Sequence, residues 1–426
     1  MIRTGGANGR PKQAVILAGG RGTRLAPLTD TMPKAMIRFH GRPFLEYLIE
    51  MLREQGFERV LLLLGYLPDQ IIEHFGDGKD FGLRIEYQVS PVDDETGTRL
   101  RRARPRLDPQ FLLLYCDNYW PMDFSCLWAT YLAAGCKALV TVYDNEDGYT
   151  RDNLLIGGDG RVALYDKART APGLKGVDIG FLILDRSILE LLPDDGNPSF
   201  EAVTYPLLVR NRELAAFVTG HRYYSVGTHA RLPSTDAFLA RPRMVLLDRD
   251  GTLNVRMPPA QYVRSWREWT WLPGALRALT KLTAAGYGIA IVTNQPGIAR
   301  GALTLADLEA IHQRMIEEAS AASARIDAVY YCPHNWDEGC TCRKPKPGLL
   351  FRAQKDFNLD LSRTCFIGDD DRDGEAAAAA GARFVKVDDE FRIEAAVASL
   401  MAERSDMTTN LTRRQEASTT VHRGPQ

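Results

Sequence analysis

A chain of 426 residues exceeds one ordinary hydrophobic core and predicts two or three domains, with two as the starting count. A composition of 45% hydrophobic and 25% charged residues excludes a chain dominated by disorder. With 53 Lys and Arg against 54 Asp and Glu, no net field points to nucleic acid or a membrane, so an anionic substrate must be met by locally placed cations.

The segment 1–12 is rich in Gly and Arg, lacks the apolar stretch of a signal peptide, and is expected to be disordered. No run approaches about 18 apolar residues. The seven cysteines form no disulfide-like framework, which fits a reducing compartment, and the protein is expected to be cytoplasmic.

From Gln13 to Ala240 apolar runs alternate with amphipathic stretches: Ala14–Leu17, a helix over Phe44–Gln55, then strands at Val60–Leu64, Phe111–Tyr115, Ala138–Tyr143 and Phe181–Leu184. Such alternation predicts an α/β domain with a mostly parallel sheet. The first strand runs into Leu17-Ala18-Gly19-Gly20-Arg21-Gly22-Thr23-Arg24-Leu25, where glycines let backbone N–H groups wrap a triphosphate. The spacing is not the Gly-x-Gly-x-x-Gly of dinucleotide folds, and Arg24 and Lys34 add charge for phosphates. Extended by Pro27-Leu28-Thr29 and Pro33-Lys34, the motif resembles the sugar-nucleotidyltransferase family, in which a sugar 1-phosphate attacks a nucleoside triphosphate and releases pyrophosphate.

The resemblance implies a Rossmann-like fold, Arg24 and Lys34 as the catalytic clamp, Gly19, Gly20, Gly22 and Thr23 around the nucleotide, and Asp117 as a Mg²⁺ ligand. It further implies Gln88 and Gly97 at the base, and Lys167 and Asp178 at the sugar phosphate. Ser225 departs from the family, which usually has an aspartate there as second metal ligand, and a hydroxyl is the poorer ligand. Pro33-Lys34 and Gly41-Arg42-Pro43-Phe44-Leu45-Glu46-Tyr47 most resemble the heptose 1-phosphate guanylyltransferase branch, which implies GTP as donor.

The pattern restarts after Arg241, with strands at Met244–Leu247, Ile289–Val292, Val329–Tyr331, Cys365–Ile367 and Phe384–Val387, so a second doubly wound α/β domain is expected over 241–400. The polar stretch 401–426 is expected to be disordered. Asp248-Arg249-Asp250-Gly251-Thr252 closes the first strand. Read alone it is also an ordinary Asp-Gly turn, but two acids at a strand tip suit phosphoryl transfer, with Asp248 as nucleophile and Asp250 as general acid and base. Thr293-Asn294-Gln295, Lys344 and Gly368-Asp369-Asp370 supply further polar groups at strand ends.

That order resembles the haloacid-dehalogenase phosphatase superfamily. The resemblance implies Mg²⁺ held by Asp248, the Asp250 carbonyl and Asp369, with Asp373 in support and Thr293 and Lys344 on the phosphoryl group. Cys332-Pro333-His334 followed by Cys340-Thr341-Cys342 has the spacing of a closed, structural Zn²⁺ site. With Cys-Arg-Lys-Pro and Thr-Asn-Gln it resembles heptose 1,7-bisphosphate 7-phosphatases, with histidinol-phosphate phosphatases as close kin. No large cap domain fits between the motifs, so Asn294, Gln295, Arg343 and Tyr262 are expected around a small substrate, while Pro296 replaces a small polar residue.

Together the two resemblances imply consecutive steps on one sugar phosphate, with small molecules, a nucleoside triphosphate among them, as partners. Two alternatives stay open: a first domain that only senses nucleotide or sugar phosphate, motivated by Ser225, and a different phosphorylated substrate such as histidinol phosphate.

Overall fold

The structure, a computed structural model, describes residues 9–402. It divides into two compact units, Met1–Arg241 and Pro242–Gln426. In the first unit seven strands form one sheet: β1 (Gln13–Ala18), β2 (Arg59–Leu64), β3 (Arg84–Val89), β4 (Gln110–Tyr115), β5 (Ala138–Tyr143), β6 (Val177–Asp185) and β7 (Leu214–Thr219), in the order β7-β5-β6-β4-β1-β2-β3. All six residues of β1 are buried, because this central strand pairs in parallel with β2 and β4 and is covered on both faces. One strand is reversed: β6 runs antiparallel to both β4 and β5.

Each face of that sheet has its own core. Phe44, Leu45, Leu48 and Leu52 recur along one side of the helix Phe44–Glu54 and pack on one face. Leu100, Ala103, Phe200 and Tyr205 cover the other.

Glu50, on the same helix, joins the end of the unit to its core. It accepts from Arg42 Nη2 at 2.8 Å and from Arg241 Nη1 and Nη2 at 3.1 and 3.0 Å. Burial opposes its charge, but the two guanidiniums outweigh burial and bring the carboxyl down to about 2. A depressed acid stabilises the folded state above its unfolded pKa, and that contribution disappears as pH falls from 4.5 towards 2. Glu50→Gln is therefore expected to destabilise the unit clearly at pH 6 and much less near pH 2.5, as measured by denaturant unfolding.

In the second unit β8 (Met244–Leu247), β9 (Gly288–Asn294), β10 (Ala328–Cys332), β11 (Cys365–Gly368) and β12 (Arg383–Lys386) form a wholly parallel sheet in the order β10-β9-β8-β11-β12. Separate apolar cores lie on its two faces. Parallel strands present all their carboxyl ends at one edge, so Asp248, Thr293, Cys332 and Asp369 share that edge.

Disorder was expected through Lys12, but Arg10 Nη1 donates to Ser125 Oγ at 3.1 Å and the Lys12 carbonyl accepts from Glu58 N and Arg59 N at 3.0 and 3.1 Å. The last helix extends over 393–402, two residues into the tail expected from 401, and the segments 1–8 and 403–426 lie outside the described residues. No described helix is long and apolar enough to cross a membrane.

Candidate active sites

The second unit brings most of its predicted phosphatase residues into one cavity of about 390 Å³, lined among others by Asp248, Asp250, Thr293, Arg343 and Lys344, while Asp369 lines another cavity beside Gly251 and Arg256. Lys344, only 3% exposed, is the centre of the first. Its Nζ lies 2.5 Å from Asp248 Oδ1, 2.7 Å from Asp373 Oδ1 and 2.8 Å from the Val292 carbonyl. Asn294 fixes the lysine's backbone from both sides, donating from Nδ2 to its carbonyl at 3.0 Å and accepting its N–H at 3.1 Å. Asn294 thus acts on Lys344's placement.

Carboxylate oxygens of Asp248, Asp369 and Asp373 lie within 4.8 Å of one another. Burial pushes Asp248 up to about 7 against the opposing pull of Lys344, and burial likewise pushes Asp369 up to about 6 against Arg256. Two carboxyls driven towards neutrality beside a third mark a pocket short of positive charge, which a divalent cation would supply. The donor set therefore fits a divalent cation. Gly251 has φ 97°, and a Cβ there would lie 2.1 Å from Asp369 Oδ2, so glycine lets the loop close over the acid.

Asp250 is turned towards the protein. It accepts from Asn254 Nδ2 at 2.9 Å, Gln295 Nε2 at 2.8 Å and Arg249 Nη2 at 2.8 Å. Burial opposes its charge, but Arg249 leads the groups that hold it below the usual carboxylate range. Gln295 also donates to Thr293 Oγ1 at 2.9 Å, joining the two predicted phosphate-site residues.

Cys332, His334, Cys340 and Cys342 gather after β10 with their ligand atoms within 4.8 Å of one another. The Cys332 and Cys340 sulfurs are 3.7 Å apart, and His334 Nδ1 is 3.6 Å from Cys332 Sγ and 3.3 Å from Cys342 Sγ. Tetrahedral zinc with bonds of about 2.3 Å to sulfur requires edges of roughly 3.8 Å. The cluster fits, and Arg343 and Lys344 follow it directly in the chain.

In the first unit, Lys34 Nζ lies 2.7 Å from Asp117 Oδ2 beyond the tip of β4. Burial disfavours both charges, yet each partner outweighs it, raising Lys34 and lowering Asp117. Arg24 joins them, its Nη2 lying 3.9 Å from the place of a Cβ on Gly227. Ser225 pairs with Asn118 beside Asp117, and its hydroxyl accepts the Gly227 N–H at 3.0 Å. Among the described residues Asp117 belongs to no cluster of three metal-ligating side chains.

Gly20 faces open space, as a phosphate loop requires, and Gly22 has φ 70°. Gln88 stands in register with Leu63 near the end of β3. Gly97 is taken up by packing, since a Cβ would lie 2.7 Å from the Pro198 carbonyl. Lys167 is exposed and donates to Ser199 Oγ at 3.2 Å. Asp178 is engaged internally, accepting from Gly180 N at 2.8 Å and Tyr205 Oη at 2.9 Å, and its burial raises its pKa.

Three arginines escaped the sequence reading. Arg249 is 1% exposed and reaches His312 Nε2 at 3.1 Å, and burial with this guanidinium presses the imidazole down to about 3. Arg300 donates to Tyr262 Oη at 2.7 Å and Asn335 Oδ1 at 3.0 Å across the cavity wall. Arg256 stands at the cavity mouth, 3.2 Å from Asp369 Oδ2 and 3.0 Å from Asp370 Oδ2.

Comparison with known proteins finds two family models on this chain, which overlap over 203–230. The nucleotidyl transferase family model matches residues 13–230, and the haloacid dehalogenase-like hydrolase model matches 203–381. The chain belongs to both families. Its hydrolase part is 41% identical over 145 residues to D-glycero-beta-D-manno-heptose-1,7-bisphosphate 7-phosphatase of Pseudomonas putida, covering 34% of this chain and 82% of that protein. D-glycero-alpha-D-manno-heptose-1,7-bisphosphate 7-phosphatase of Mycobacterium bovis is also 41% identical over 145 residues, covering 32% of this chain and 75% of that protein. Among solved structures, HddC from Yersinia pseudotuberculosis is 26% identical, covers 53% of this chain and 98% of its own, and gives a TM-score of 0.46. The chain is thus a nucleotidyltransferase fused to a haloacid dehalogenase-like phosphatase.

Proposed function

We propose that this chain makes an NDP-heptose in two consecutive steps, its second unit removing the 7-phosphate of D-glycero-D-manno-heptose 1,7-bisphosphate and its first coupling the resulting 1-phosphate to a nucleoside triphosphate. The observation that carries this is the joining of a heptose-bisphosphatase-like unit, with its Asp248–Lys344–Asp373 cluster, to a nucleotidyl transferase unit. GTP is the proposed donor, and both steps use Mg²⁺.

In the first step Asp248 attacks phosphorus and forms an aspartyl phosphate, while the heptose oxygen leaves with a proton from Asp250. Asp250 starts ionised beside Arg249, and the arriving phosphoryl dianion raises its pKa so that it takes up that proton from solvent. The carboxylate then takes a proton from water, which attacks the acyl phosphate and releases inorganic phosphate. Lys344 and Thr293 hold the phosphoryl oxygens, and Asn294 and Gln295 hold Lys344 and Asp250 in place. Asp248 and Asp369, with Asp373 behind them, would hold the divalent cation, which neutralises phosphoryl charge. Arg343, Tyr262 and Arg300 face the remainder of the sugar phosphate, and the forked donors of the two arginines suit a second phosphate.

In the second step Arg24 and Lys34 clamp the triphosphate over Gly19, Gly20, Gly22 and Thr23, Gln88 and Gly97 border the base, and Lys167 and Asp178 border the sugar phosphate. Asp117 alone would contribute a carboxylate to the metal, with substrate phosphate completing the ligand set.

The Cys332, His334, Cys340 and Cys342 cluster would hold a structural zinc ion that aims Arg343 and Lys344. One zinc per chain is expected by elemental analysis, and Cys342→Ser is expected to lose it together with most phosphatase activity, leaving nucleotidyl transfer in place. A substrate panel tests the sugar: phosphate release should be fastest from the heptose bisphosphate, and faster release from histidinol phosphate would replace this proposal.

A further inference from the structure

Arg99, in the helix Thr96–Ala103, is 4% exposed and forms no ion pair among the described residues. Its guanidinium is surrounded by neutral acceptors instead. Nη1 donates to the Leu64 carbonyl and to Ser90 Oγ, each at 2.7 Å. Nη2 donates to the Pro91 and Val92 carbonyls, each at 2.9 Å, and lies 3.4 Å from the Gly19 carbonyl. Leu64 ends β2, Ser90 to Val92 follow β3, and Gly19 follows β1, so one side chain ties together the tips of three neighbouring parallel strands.

Two glycines are explained by the same contact. Neither Gly19 nor Gly65 has the positive φ that favours glycine, yet a Cβ on Gly19 would lie 2.3 Å from Arg99 Cζ, and one on Gly65 would lie 2.6 Å from its Nη2. The guanidinium lies close against both. A buried cation bound only to carbonyls and a hydroxyl holds those acceptors at one spacing, which separately hydrated loops would not keep.

We propose that Arg99 is a positioning residue of the nucleotide site: it fixes the glycine loop after β1 against the segment after β3, so that the triphosphate-wrapping amides and the base-bordering residues stand at their bound spacing before the nucleotide arrives. This rests on the proposal that the first unit takes a nucleoside triphosphate at that loop. Preorganisation of this kind acts on nucleotide affinity and leaves the sugar-phosphate side, on other strands, unchanged. A lysine keeps the charge but has a single ammonium in place of the planar fork.

The test measures GTP binding by calorimetry, and the KM of each substrate in pyrophosphate release, for the full chain and for Arg99→Met, Arg99→Lys and Gly65→Ala. All three are expected to weaken GTP binding by about tenfold or more, to raise its KM in parallel, and to leave the KM for heptose 1-phosphate within about twofold. Phosphate release by the second unit is the internal standard, and Arg99→Lys decides if Arg99→Met does not fold. If the unaltered chain binds no nucleoside triphosphate, the proposed function of this unit fails. If it binds GTP and the folded variants bind equally well, the role given to Arg99 is overturned. Tighter binding by the variants also overturns it, since the guanidinium would then occupy the nucleotide's place.

Discussion

Asp248→Asn is expected to lower phosphate release by at least about 10⁴-fold, because the amide cannot form the aspartyl phosphate through which the reaction divides into two displacements. Pyrophosphate release by the first unit should stay within about twofold of the unaltered chain, since its proposed groups belong to a separate sheet. The substitution is nearly isosteric, so the loss is chemical. Asn at this position keeps an acceptor oxygen for Lys344 Nζ but removes the charge opposite it, and Asp373 at 2.7 Å keeps the lysine paired. Trapping with labelled substrate and acid quench checks the same point: the unaltered chain should carry label on Asp248, and the variant should carry none. Equal loss of both activities would contradict independent sites.

Lys34→Ala is expected to lower nucleotidyl transfer by about 10²–10³-fold while phosphate release persists. The alanine removes a cation from the phosphate clamp, and it also strands Asp117. With Lys34 present, the carboxyl is held low although burial pushes the other way. Without it, burial dominates and Asp117 titrates upward, so the remaining activity should improve as pH rises and the carboxylate is restored. A pH profile of the variant shifted to higher pH than that of the unaltered chain supports this coupling. An unshifted profile would mean that Asp117 does not depend on Lys34.

The parts of this protein that the sequence disclosed are those in which local chemistry and local structure coincide. Ala14–Leu17 and Met244–Leu247 are apolar without interruption because each strand is central in its sheet, and the motifs that follow them stand at the carboxyl tips. The four zinc-type ligands are close in sequence as well as in space. What escaped is long-range or directionless. Arg249 and His312 are 63 positions apart, and nothing local pairs them. A buried strand has the same composition in either direction, so the reversal of β6 left no mark in Phe181–Leu184. Gly97 and Asp178 were assigned to ligands by family resemblance, but packing against Pro198 and hydrogen bonds to Gly180 and Tyr205 also account for them. Arg99 shares the helix Thr96–Ala103 with Gly97, yet its acceptors end or follow three separate strands.

The central claim is that one chain carries a bisphosphorylated heptose through both reactions. Purified protein with Mg²⁺, D-glycero-D-manno-heptose 1,7-bisphosphate and GTP, followed by mass spectrometry together with phosphate and pyrophosphate release, tests it directly. GDP-heptose is expected to appear with one phosphate and one pyrophosphate per molecule formed. Accumulation of heptose 1-phosphate with no pyrophosphate from any nucleoside triphosphate would contradict it.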